Sequence, residues 1–304
     1  MSDKNLACLT LDLENDWYFD EPEYDHLTLE YIDDYIDLIQ ELDVPVTFFV
    51  VGRTLKRFPE VIDELDANLE CDFHLHSYQH DTSKSYNFQT EVQQGVEVFE
   101  AHFGHEPDGY RAPQGNIDSN ELQILEDEGF VFDSSVFPSY RPGVYSNLDK
   151  PLTPYQPEAT DDLLEIPISA TPRTRIPLSQ SYLKILGRPF QTYLRHVTLP
   201  PLVVYNSHLQ DLYRTESHGQ LDQPKRFLFE RNLDRSQELF QWSISLLREK
   251  GYSFRVMTDI YERYAETNST VLTHDEELNS ESMLESTNVE SQSNSQHFTE
   301  SGKI

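Results

Sequence analysis

The sequence predicts an α/β protein, an irregular (β/α)7-8 barrel, and three observations carry that prediction. Short β-rich apolar runs alternate with longer runs of helical period along most of the chain. The polar residues suited to chemistry fall at or just beyond the ends of the strand-like runs, where barrel enzymes keep their active sites. The chain has 304 residues, enough for one large core, and barrels of about 200 to 250 residues form single domains.

Leu6 to Leu13 reads as a strand, Leu27 to Leu42 as a helix, Val44 to Val51 as a strand and Leu55 to Leu65 as a helix. Glu70 to Leu75 is strand-like, Glu91 to Phe103 helical and Gly109 to Arg111 short and extended. Ser119 to Glu128 is helical, with Asp118 or Ser119 suited to cap its start. Phe130 to Asp133, Leu163 to Ile168 and Leu202 to Asn206 supply further strands. A helix from Asp234 to Lys250, stopped by Gly251, precedes a last strand at Tyr252 to Met257. Residues 1–265 are expected to form the barrel, with a loop-rich insertion at about 140–200. Residues 266–304 turn to Ser, Thr, Asn, Gln and Glu, a composition that cannot offset its ordering entropy, and are expected to be a disordered acidic tail. No internal repeat of fixed period is visible.

The 54 acidic and 23 basic residues give a formal charge of −31. Such a surface excludes nucleic acid as a partner and suits a protein dissolved in concentrated, screening salt. Cys8 and Cys71 lie in apolar strand-like runs, so they are expected to be buried thiols. There is no basic start, no apolar signal region and no run long enough to span a membrane, so the expected location is the cytoplasm.

His76-Ser77-Tyr78-Gln79-His80 sets two imidazoles four positions apart just after a strand, downstream of Asp12-Leu13-Glu14-Asn15-Asp16. Two neutral imidazoles and one carboxylate make an open three-ligand site for one divalent ion, Zn²⁺ or similar, and point to metal-assisted hydrolysis. Strand alternation puts Asp12 and Glu14 on one face, with Asp16 in reach if the chain bends, so one acid can bind metal while its neighbour takes a proton. Taken singly, these are also ordinary features: solvated acids at a strand end, and histidines sharing a helix face. His74, two positions before His76, is assigned to structure. Arg111, before the rigid Ala112-Pro113 turn, can hold a carboxylate and lower its pKa, and His208 can serve as a general acid if a carboxylate holds its other nitrogen.

In order along the chain, these segments resemble the NodB-homology polysaccharide deacetylases, carbohydrate esterase family four, in the subgroup with an Asp-x-Glu first motif and an Asp-Ser-Ser fourth motif. The resemblance covers roughly residues 6 to 260, and His76-Ser77-x-x-His80 fits the second motif unchanged. It implies Asp12 as catalytic base, and Glu14, His76 and His80 as metal ligands, with Asp16 a rival to Glu14. It implies Arg111 as the residue positioning the base, and Asp133 as the aspartate holding His208, the proton donor. The backbone N–H near Gln114 would stabilise the oxyanion, a contribution worth about 3 kcal/mol per donor in other hydrolases. Gln114 and Ser134 stand where the family often has an aromatic residue and a tryptophan, so a more polar pocket floor is expected.

From Ile166 to Gln210 there is no Asp or Glu, while Arg173, Arg175, Lys184, Arg188 and Arg195 fall inside the interval. One reading is a basic flank, with Arg188 and Arg195 contacting an anionic part of the substrate, such as a lipid- or nucleotide-linked sugar precursor. The other is an insertion buried on the barrel through Tyr182, Leu183, Ile185, Leu186, Phe190 and Leu194. The expected activity is N-deacetylation of a carbohydrate. The alternatives are another C–N hydrolase on the same scaffold and a non-catalytic glycan-binding protein.

Overall fold

The computed structural model describes residues 5–18 and 22–266. Contacts divide the chain into a unit Met1–Ile260, which carries everything below, and a unit Tyr261–Ile304. The expected tail lies, from residue 267 on, outside the described residues.

Ten strands are described: β1 (Leu6–Leu13), β2 (Val46–Val50), β3 (Cys71–Leu75), β4 (Gly109–Tyr110), β5 (Phe132–Asp133), β6 (Tyr140–Arg141), β7 (Tyr145–Ser146), β8 (Leu164–Glu165), β9 (Leu202–His208) and β10 (Ser253–Phe254). The helices are α1 (Ile32–Leu42), α2 (Gly52–Arg57), α3 (Pro59–Asn68), α4 (Phe88–Phe103), α5 (Ser119–Asp127), α6 (Gln180–Leu186), α7 (Arg188–His196), α8 (Leu209–Leu212), α9 (Ser217–Gln220), α10 (Lys225–Glu230) and α11 (Ser236–Glu249). The main sheet is parallel and runs β9-β1-β2-β3-β4-β5-β8, with β10 pairing the first residues of β1. It curls into an incomplete barrel, as the alternation predicted. β6 and β7 form a separate antiparallel hairpin.

Alternation along β1 sets the layers. Ala7, Leu9, Leu11 and Leu13 join the core between sheet and helices, while Cys8, Thr10 and Asp12 turn to the barrel interior. There Cys8 Sγ meets Thr47 Oγ1 and Arg111 Nη1 meets Thr10 Oγ1. Both thiols are free, Cys8 buried and Cys71 half-buried. In α1, Ile32, Tyr35, Ile36, Ile39 and Leu42 repeat at helical spacing and are buried. The helix expected over Leu55 to Leu65 is two helices, α2 and α3, because Pro59 disfavours helical geometry at Phe58, which breaks out at φ −131°. Asp118, not Ser119, caps α5, in a reciprocal capping box with Glu121.

The segment expected to be a loop-rich insertion is part of the barrel wall. It supplies β8, α6 and α7, and its extended stretches close the gap toward β9: Ser169 N donates to Val204 O, and Ser179 bridges Asn206 in parallel. The apolar residues Leu183, Phe190 and Leu194 enter the main core. The interval therefore lacks acids because much of it is buried wall, where an unpaired carboxylate would be costly.

Candidate metal centre and active site

Strand register brings the site together. Asp12 on β1 is level with His208 on β9 and Phe49 on β2, and Phe49 is level with His74 on β3. These residues share the inner face at the C-terminal rim, and His76 and Arg111 follow the ends of β3 and β4.

Glu14, His76 and His80 form one buried cluster whose ligand atoms lie within 4.8 Å of one another. Glu14 Oε2 is 2.8 Å from His80 Nε2 and 4.0 Å from His76 Nε2. His76 Nδ1 lies 2.7 Å from the Arg111 carbonyl, which can only accept, so Nδ1 carries the proton and Nε2 offers its lone pair to the cluster. Burial lowers the His76 pKa to about 4, keeping it in the neutral, ligating form. Glu14 falls to about 2, because the surrounding histidines outweigh the cost of burial. One carboxylate and two imidazoles gathered in this way fit Zn²⁺ or a similar divalent ion.

The turn carrying the histidines is unusual: Ser77 and His80 both have left-handed backbones, at φ 62° and 56°. A buried carboxylate on α4 holds it. Glu91 Oε1 accepts from Ser77 Oγ at 2.7 Å, Tyr78 N at 3.1 Å and Gln79 N at 2.6 Å, and Gln79 Nε2 donates to Oε2 at 2.9 Å. The first N–H groups of α2 add to this, Gly52 N donating to Ser77 O and Arg53 N to Tyr78 O. Sequence reasoning missed Glu91. Its signal was an acid on the apolar stripe of α4, four residues before Gly95 and eight before Phe99, all three buried.

Asp12 is gripped from two sides. Arg111 Nη1 lies 2.6 Å from Oδ1, and Asn206 Nδ2 donates to Oδ2 at 2.9 Å. Arg111 is itself locked: Nε donates to Ser134 O, Nη2 to Ser134 Oγ, and the guanidinium lies 3.8 Å over the Phe49 ring. Burial would raise the Asp12 pKa, but Arg111, His76 and His208 hold it well below the usual carboxylate range. His208 Nε2 faces Asp12 Oδ2 at 3.4 Å and Glu14 Oε1 at 3.7 Å. Burial opposes a charge on His208, yet bonds to Asp12 and Asp211 and the charge of Glu14 raise its pKa well above the ordinary value. Tyr18, absent from the sequence reading, stacks on His80 at 4.3 Å and donates to Glu14 Oε2 at 3.1 Å.

The structure corrects several expectations. Between Glu14 and Asp16, Glu14 is the residue in the cluster; Asp16 Oδ1 accepts from Thr28 N and Oγ1 and ties down the first loop. Asp133 does not hold His208. It is level with Tyr110 and, through Tyr110, with Leu75, whose side chains lie on the outer, helix-facing side of the sheet. Period-two alternation thus sends its carboxylate away from His208, toward Ser135 and the neighbouring Glu165. The carboxylate at His208 Nδ1 is that of Asp211, at 3.3 Å. Ser134 is fully buried behind Arg111 and forms no pocket floor, whereas Gln114 is exposed in a left-handed turn at φ 58°.

Arg173, Arg175 and Arg195 do not gather at the site. Arg195 lies at the opposite end of β9, its carbonyl bonded by Lys250 Nζ and its guanidinium 5.8 Å from the Trp242 ring centroid. The turn holding Arg173 and Arg175 follows Ser169, whose Oγ reaches Leu202 O at the start of β9. Lys184 is buried against Asp211. Arg188, at the head of α7, is exposed.

An incomplete parallel barrel carries a His-His-carboxylate cluster at its C-terminal rim, and that fold recurs among solved structures. The fold is shared with a Mycobacterium smegmatis protein assigned as a polysaccharide deacetylase (TM-score 0.59, 19% identity, 88% of this chain and 93% of that one). It is also shared with Puue allantoinase (TM-score 0.57, 15% identity, 88% and 93%) and with a mutant of a carbohydrate esterase family four pseudoenzyme with restored activity (TM-score 0.51, 16% identity, 86% and 69%).

The relationship also appears in sequence: residues 19–132 match the family described as polysaccharide deacetylase. A peptidoglycan deacetylase-like protein of Gibberella zeae is 30% identical over 95 residues, 30% of this chain and 28% of that protein. A peptidoglycan-N-acetylglucosamine deacetylase of Bacillus cereus is 24% identical over 106 residues, 34% and 38% respectively. The chain thus spans about a third of the length of these curated relatives. The family match includes His76, His80 and Arg111 but neither Asp12 and Glu14 nor His208, which the fold brings to the same rim.

Proposed function

We propose that the protein is a metal-dependent hydrolase that removes N-acetyl groups from a carbohydrate. The observation that carries this reading is the convergence on one rim of the Glu14–His76–His80 cluster, the Arg111-bound Asp12 and His208.

A divalent ion held by Glu14, His76 and His80, Zn²⁺ by the donor set, would supply Lewis-acid activation of water and of the amide carbonyl. The remaining work falls to the protein. Arg111 and Asn206 keep Asp12 ionised and fixed, so an acceptor for the water's proton is present at every working pH. His208, held protonated between Asp12, Glu14 and Asp211, gives its Nε2 proton to the departing amine nitrogen. The backbone N–H at the Gln114 turn is available to the carbonyl oxygen as charge develops on it. Acetate and an amino sugar leave.

An anionic, lipid- or nucleotide-linked precursor is the finer part of this reading, and Arg188, exposed at the head of α7, is the residue of the basic interval that would contact it. Replacing Arg188 should raise KM for a charged precursor and leave a neutral N-acetyl amino sugar unaffected; equal effects on both would remove that refinement.

The test of the main proposal is acetate release from a panel of N-acetylated sugars, with and without chelator, in dilute buffer and in molar salt. Chelator-sensitive acetate release supports it. Ammonia or a ring-opened product would instead favour another C–N hydrolase, a reading motivated by the allantoinase that shares the fold. Chelator-insensitive sugar binding without acetate would favour a binding protein.

A further inference from the structure

His208 ends β9, and Asp211 follows it by three residues within α8, whose N-cap is His208 itself. Asp211 is 1% exposed, and its Oδ2 faces His208 Nδ1 at 3.3 Å. The same Oδ2 accepts from Ser181 Oγ. On the other side, Oδ1 is 3.0 Å from the ammonium of Lys184, which is 0% exposed and also donates to Phe229 O at 2.8 Å. A lysine with no access to water is rare, and it is tolerated here because one carboxylate and one carbonyl receive it. Asp133, the aspartate the family resemblance assigned to this histidine, lies on the other face of the sheet.

We propose that Asp211, held by the buried cation of Lys184 and by Ser181, is the positioning residue of His208. It accepts a hydrogen bond from Nδ1–H, so that Nε2 is the nitrogen directed at Asp12 and the reacting atoms. Its geometry is set by adjacency: His208 and Asp211 sit on one short turn, and α6 delivers Ser181 and Lys184 to it from one side. Lys184 supplies the counter-charge that a carboxylate closed off from solvent requires. Burial opposes ionisation of Asp211, and the cation is the largest influence that overrides it. Asp211, Ser181 and Lys184 fix one ring orientation and, once Nε2 has given up its proton, keep the remaining proton on Nδ1, independently of Asp133.

The inference rests on His208 being the proton donor of the proposed hydrolase, so the experiment has one readout that needs no turnover. In metal-free protein labelled with ¹⁵N in histidine, the Nδ1–H signal of His208, assigned by its loss in His208→Gln, should be present in the native chain. It should be shifted or lost in Asp211→Asn. In the metal-loaded protein, Asp211→Asn should lower kcat about 100-fold with KM unchanged within about twofold. Lys184→Met, which keeps the carboxylate but removes its cation, should lower kcat about tenfold. A folded Asp211→Asn protein whose His208 ring signal matches the native one overturns the proposal. If Asp211→Asn does not fold, Ser181→Ala, which removes one donor from the same carboxylate, decides the matter: a shifted ring signal supports it and an unmoved one overturns it. Should the native protein release no acetate from any sugar, the hydrolase reading falls while the ring signals still report on Asp211.

Discussion

Replacing Arg111 by methionine tests the electrostatic frame of the site. The side chain is 1% exposed and makes four polar contacts: 2.6 Å to Asp12 Oδ1, 2.9 Å to Thr10 Oγ1, 3.0 Å to Ser134 O and 3.1 Å to Ser134 Oγ. Methionine fills much of the volume beside Phe49 but leaves Asp12, 6% exposed, without its cation. Removing one partner of a buried ion pair costs about 3–5 kcal/mol, against a total stability of about 5–15 kcal/mol. In a domain of this size that lowers Tm by about 10 °C.

The pH dependence has a definite sign. In the native chain the pKa of Asp12 is depressed, so its contribution is complete above the ordinary value of 3.8 and is lost only as pH falls below it. In Arg111→Met the largest influence opposing burial is gone and only His76 and His208 remain to offset it, so the carboxyl pKa rises from its native position. Mild acid then protonates it and relieves the cost. Melting curves of the metal-free proteins from pH 8 to pH 5 should therefore show a gap in Tm that narrows on acidification. A gap worth under about 1 kcal/mol at pH 7, or one that widens toward pH 5, would refute the reasoning.

Glu91→Ala removes the acceptor for four donors of the histidine turn without touching a ligand; Zn²⁺ affinity should fall about 10- to 100-fold in a competitive chelator titration, and unchanged affinity in a folded variant would show that the turn needs no clamp. Glu165 is pushed well above its ordinary 4.5 by burial and then by Asp133, so the folded chain keeps a proton that the unfolded chain releases above pH 4.5. That lowers native stability as pH rises through this range. Glu165→Gln, isosteric with the neutral acid and still able to accept from Val136 N, should remove the decline, giving a Tm difference from native that grows more favourable from pH 5 to pH 8. A flat or reversed difference would argue against the protonated carboxyl.

The sequence by itself determined the alternation of strands and helices, the barrel class, and the residue types of the candidate metal-binding cluster. These are local properties: apolar period decides which face of a segment is buried, and His76-x-x-x-His80 and Asp12-x-Glu14 lie within single turns or strand ends. Only the tertiary structure decided the partners. Glu14 rather than Asp16 meets the histidines because the chain bends after β1 and commits Asp16 to Thr28, a pairing that composition does not reveal. Asp211 rather than Asp133 meets His208 because parallel register places Asp133 in the outer row with Tyr110 and His208 in the inner row with Asp12. The acid-free interval, basic on paper, is buried wall whose Lys184 is consumed by Asp211 and whose Arg195 lies at the far end of β9. Side-chain facing is settled by which strands pair and in what register. That is a long-range choice made by the packing of the whole sheet, and it leaves no mark in any one segment.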